Sequence, residues 1–201
     1  MARNLLEVAP FEYNTPIFFG SGGEGERAKL TGWAQTEPGF TWSDGIAASL
    51  AVRVPPTEEL VQLHFRICGM NVPERVHDQR VDLYVNSEKL ARWRVSDEQV
   101  YTVTVPEKFV SQPDPLLIID FYVPEAISPV AAGAGSDLRR LGVRLAELIV
   151  SSTPHEAAVR ASESVPRSVT WRNGFEGSAT LRGRDLLLRS AIAIRVPSRG
   201  S

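Results

Sequence analysis

Alternation of apolar and polar residues every second position is the feature that most constrains this chain. Ala48, Leu50, Val52 and Val54 alternate with Ser49, Ala51 and Arg53, and Pro55-Pro56 ends the run. Leu63, Phe65 and Ile67 alternate with His64, Arg66 and Cys68; Val81, Leu83 and Val85 alternate with Arg80, Asp82 and Tyr84. A period of two places successive side chains on opposite faces of a strand, so each run buries one face. Further strands are expected at Ile17–Phe19, Lys89–Val95, Val100–Val105, Leu116–Val123 and Leu141–Val150. Asn86-Ser87 marks a hairpin turn. The apolar run Leu116–Val123 predicts a central strand buried on both faces. Leu141–Val150 fits either helical or strand spacing, and its neighbours favour the strand. Glu107–Val110 fits one helical or 3₁₀ turn, and Ser128–Ser136 a loop between the last two strands.

Seven or eight short strands without intervening helices predict a mainly β chain, an antiparallel jelly-roll-like β-sandwich with a C-terminal extension. The expected division is a sandwich over residues 1–152, a linker over 153–168 and a β extension over 169–201. That extension would complete the sandwich or form an oligomer interface through Leu186, Leu188, Ile192 and Ile194. The formal charge of the 201 residues is −2, which gives no global attraction to nucleic acid. It conceals an asymmetry: residues 155–201 carry +4 and the remainder −6. No run is long and apolar enough for a membrane helix. The N-terminal residues lack a signal-peptide pattern, so the expected location is cytoplasmic.

One cysteine, Cys68, precludes an internal disulfide and reads as a buried thiol filling core space. His64, His77 and His155 share no metal-ligand spacing, so neither a metal nor a cofactor is expected. The glycines at 20, 22, 23 and 25 lack the lysine of a phosphate loop and read as a turn.

Aromatic and acidic residues concentrate in one segment. Trp33, Phe40 and Trp42 lie within ten residues, with Glu37 and Asp44 among them. Flat rings match the apolar C–H faces of sugars, and carboxylates accept hydrogen bonds from sugar hydroxyls. The competing reading is that the rings cap the core and the acids make turns. Glu37 and Asp44 are also the one acid pair in an aromatic setting, as a glycan-active enzyme would require. Arg139 and Arg140, beside Asp137, are candidate contacts for an anion.

Four segments together suggest a family: FFGSG (18–22), GWAQTEPGFTWSDGIAA (32–48), QRVDLYVN (79–86) and DLRRLGVRL (137–145). In this order they resemble a jelly-roll-type β-sandwich accessory domain found with bacterial glycosyltransferases and polysaccharide-biosynthesis proteins. The resemblance covers roughly residues 14–152. Asn86-Ser87 departs from the commoner Asn-Gly, and no glycosyltransferase sequence accompanies the domain. The resemblance implies a non-catalytic module that binds carbohydrate or glycoconjugate, or docks to a glycosyltransferase. The alternatives are a scaffold or homo-oligomer subunit acting through the C-terminal apolar strand, and a glycan-active enzyme.

Overall fold

A computed structural model of the chain describes residues 10–72 and 74–154. Ten strands form two five-stranded sheets whose assigned strand pairs are antiparallel. The first sheet contains β1 (Pro16–Phe18), β3 (Thr41–Asp44), β5 (Leu60–Gly69), β8 (Gln99–Thr104) and β10 (Leu141–Thr153). β10 lies beside β5, and β5 pairs with β8; β1 and β3 both pair with β10. The second sheet runs β2 (Lys29–Thr31), β4 (Ala47–Arg53), β9 (Leu116–Tyr122), β6 (Gln79–Val85) and β7 (Glu88–Val95). Among the described residues, every connection except β6–β7 crosses from one sheet to the other. The jelly-roll-like sandwich expected from the alternation is therefore present.

The core lies between the sheets. Leu63, Phe65 and Ile67 of β5 face Leu83 and Val85 of β6 and Leu117, Ile119 and Phe121 of β9, all fully buried. Phe65 and Phe121 come from opposite sheets and meet edge to face, with centroids 5.3 Å apart. The β6–β7 hairpin closes on Asn86 and Ser87, both with positive φ, at 48° and 68°. Asn86 fastens that turn to β9: its Nδ2 donates to the Leu116 carbonyl, and its Oδ1 accepts from Ile118 N–H.

Three expectations change. Two strands, β2 and β3, lie within or beside the segment dense in aromatic residues. They are three and four residues long, too short for a periodic signal. β9 is buried on one face only; its other face, including Asp120 and Tyr122, is half-buried or exposed. Cys68 faces away from the core and is half-buried, its Sγ donating to the Ser96 carbonyl at 3.2 Å. The linker at 153–168, the extension at 169–201 and the interface residues Leu186, Leu188, Ile192 and Ile194 lie outside the described residues, apart from Thr153 at the end of β10 and Pro154.

Candidate functional site: the outer face of the first sheet

Trp33 and Trp42 are nine residues apart and face opposite ways. Trp33 forms a single bridge with Ser43, whose side chain is buried, so its ring turns inward. It packs edge to face on Phe121 at 5.6 Å, and its indole N–H donates to the Ser49 carbonyl at 2.8 Å. Trp42 takes the opposite phase of β3. It pairs with Arg144 of β10, and both side chains lie on the outer face. Between the two tryptophans, the chain reverses through Glu37-Pro38-Gly39-Phe40, where Glu37 N–H donates to the Phe40 carbonyl.

That reversal places Phe40 against Trp42, with centroids 6.0 Å apart and rings nearly perpendicular. One side of Trp42 rests on a small cluster formed by Met70, Val72, Ala132 and Leu141. The Arg144 guanidinium stacks 4.9 Å from the Phe40 ring. Both aromatic rings remain half-buried on the outer face. Phe18, opposite Glu147 on β10, is 50% exposed. Three residues separate its partner from that of Trp42, which places the aromatic positions about 10 Å apart along the strand.

Between them runs a chain of ion pairs. Arg144 bonds Glu98 at 3.1 Å, Glu98 pairs with Arg66 at 3.6 Å, and Arg66 bonds Glu147 at 3.2 Å. The buried Nε of Arg144 has no acceptor among the described residues. Further along this face, the His64 ring nitrogens contact Thr102 Oγ1 at 2.9 Å and Ser151 Oγ at 2.8 Å.

The fold also joins two sets of residues about a hundred positions apart. The Arg139 guanidinium donates to both carboxylate oxygens of Asp137, at 3.2, 3.0 and 2.6 Å, the Arg139 backbone N–H donates to Asp137 Oδ1 at 2.9 Å, and the guanidinium reaches Glu37 at 3.9 Å. Hydrogen bonding to Asp137, followed by the charges of Asp137, Glu37 and Asp44, raises the Arg139 guanidinium above its ordinary range. The same hydrogen bonds hold the Asp137 carboxyl below its ordinary range. Asp44 is exposed and follows Trp42 on the same face of β3. Arg140 turns elsewhere and donates twice to the Ala126 carbonyl, at 3.2 and 3.0 Å.

Of the residues anticipated from sequence, Glu37, Phe40, Trp42, Asp44 and Arg139 therefore share one neighbourhood, whereas Trp33 and Arg140 point away from it. Phe18, Arg66, Glu98, Arg144 and Glu147 join that face without having been anticipated. Alternation in Ile17-Phe18-Phe19 does imply that one phenylalanine faces outward. Nothing local indicates that it stands beside β3. Among the described residues, no three His, Cys, Asp or Glu side chains are placed to hold a metal ion.

No protein-family model matches the sequence, and no curated protein matches it. Solved structures with similar strand arrangements include a family 35 carbohydrate-binding module from Clostridium thermocellum. It is 13% identical, covers 69% of this chain and 99% of its own, and has a TM-score of 0.42. Another is the CBM36-1 domain of a multidomain xylanase from the hindgut metagenome of Trinervitermes trinervoides. It is 14% identical, covers 69% of this chain and 97% of its own, and has a TM-score of 0.40.

Proposed function

We propose that this domain is a non-catalytic carbohydrate-binding or docking module of bacterial polysaccharide or glycoconjugate biosynthesis, and that it holds a glycan across the outer face of its first sheet. The observation that carries this reading is the Phe40–Trp42 pair, half-buried on an open sheet face beside a chain of fixed charges. The rings offer an apolar platform for sugar C–H faces. Glu98, Arg66, Glu147 and Asp44 offer hydrogen-bond partners held by the sheet. Phe18 extends the platform along β10, as an oligosaccharide requires.

The test is a glycan array followed by titration with the best oligosaccharide, read by tryptophan fluorescence. Trp42→Ala is expected to weaken binding at least tenfold and abolish the fluorescence change. Trp33→Phe is expected to retain both. Wild-type affinity in Trp42→Ala would overturn the reading.

A further inference from the structure

The aromatic residues of the outer face stand in a line. β1 and β3 follow one another along the same side of β10, with Phe18 opposite Glu147 and Trp42 opposite Arg144. β5 occupies the other side, where Met70 N–H, one residue past the end of β5, donates to the Gly142 carbonyl at 2.8 Å. β3 runs antiparallel to β10, so Phe40, two residues before Trp42, falls between Trp42 and Phe18. The chain after β1 is tied to the chain before β3. Ser21 N–H donates to the Glu37 carbonyl at 2.9 Å, and a Cβ on Gly20 would come within 2.6 Å of the Pro38 carbonyl oxygen. Only glycine permits that approach. The order Trp42, Phe40, Phe18 is therefore built into the strand pairing.

The charges beside this line are unevenly committed. Arg66 serves Glu98 and Glu147, Arg144 serves Glu98, and Arg139 serves Asp137 and reaches Glu37. Each of these guanidiniums already faces a carboxylate. Asp44, by contrast, is exposed and makes no ion pair among the described residues. Carboxylates therefore outnumber the guanidiniums that face them. Sugar hydroxyls find acceptors along this flank, whereas a ligand anion meets a negative field.

We infer that Phe18 is the far subsite of this line and sets which glycans the face accepts: extended, uncharged chains long enough to reach it. The inference rests on the glycan reading proposed above. Trp42 and Phe18 stand about 10 Å apart along β10, more than one sugar ring spans. The line is as straight as the strand that carries it, so a chain that coils leaves Phe18 bare. Hydroxyls of the sugars between the two ends donate to Glu98 and Glu147 on the flank. A carboxylate on those sugars would face the same groups and Asp44, and the arginines beside them are already engaged.

The experiment is calorimetric titration of the full chain with the dimers and hexamers of β-linked glucose and of β-linked mannose (cellobiose, cellohexaose, mannobiose, mannohexaose), with maltohexaose, and with the uronate hexamer of each β-linked series. A neutral β-linked hexamer is expected to saturate and to bind at least tenfold tighter than its dimer, than maltohexaose and than its uronate counterpart. Phe18→Ala, at a side chain 50% exposed, is expected to bring that hexamer down to the affinity of the dimer. The dimer's affinity and the melting temperature should stay unchanged, whereas a merely structural Phe18 would weaken both lengths alike. The inference is overturned if neither neutral hexamer saturates, if Phe18→Ala keeps the gain from dimer to hexamer, or if maltohexaose or a uronate hexamer binds equally well. Those outcomes leave the glycan reading standing as long as the array finds a glycan whose binding Trp42→Ala removes. Loss of that dependence overturns the reading itself.

Discussion

His64 shows how one side chain ties the candidate face to folding. Burial lowers its pKa below the ordinary value of 6.5, and two hydroxyls satisfy its ring nitrogens. A neutral imidazole has one donor and one acceptor, and Thr102 and Ser151 can match either tautomer. The folded state therefore binds fewer protons than the unfolded chain near pH 6. This contribution to stability is present above the unfolded pKa and is lost as pH falls through the folded one. The melting temperature of the wild type should fall between about pH 7 and pH 5 more steeply than that of His64→Gln, as measured by calorimetry across that range. Parallel slopes would remove His64 from the account. Trp33 and Trp42 teach a related point. Their composition and setting look alike, and only the phase of the backbone separates a ring that packs on Phe121 from one that faces outward.

Individual strands follow local alternation, but their ends and turns follow backbone geometry. The β6–β7 hairpin is legible because seven alternating residues run into a two-residue turn. Ser87 occupies that turn at φ 68°, a conformation that favours glycine. Ser87→Gly should stabilise the domain by about 0.5–1 kcal/mol in urea unfolding, with an unchanged dependence on denaturant. A destabilisation would mean that the Ser87 hydroxyl matters more than its backbone. By contrast, β2 and β3 cannot be read from the sequence. Three or four residues carry too little pattern, and pairing with β4 and β10 alone makes them strands. The missed character of β9 has a similar cause. Ile118 is apolar, yet its phase is the outer one, and the run LLIIDFYV conceals this because both phases contain large apolar residues.

At the scale of the whole molecule, the two sheets are joined through rings contributed by both. Phe65 of one sheet meets Phe121 of the other, and Trp33 and Trp93 pack on those rings in turn. Phe121→Ala should cost about 3–5 kcal/mol in chemical unfolding, whereas Leu138→Ala, at a position 79% exposed, should cost less than about 0.5 kcal/mol. Similar values for both would mean that the sandwich is not held by this inter-sheet contact.

The sequence by itself determined that the chain is built from strands and, where apolar and polar residues alternate cleanly, as in β5 and β6, which residues face the core. Both follow from a side-chain period of two and the gain from burying apolar surface, which are local properties. It also placed aromatic and acidic side chains in one short segment. Tertiary structure alone decided which of them meet. Phe40, Trp42 and Asp44 face Arg139 and Arg144 because β3 pairs with β10, about a hundred residues later. Phe18 joins them because β1 pairs with the next stretch of the same strand. The choice of partner and register minimises exposed apolar area over the whole sandwich, and no local window of sequence contains that quantity.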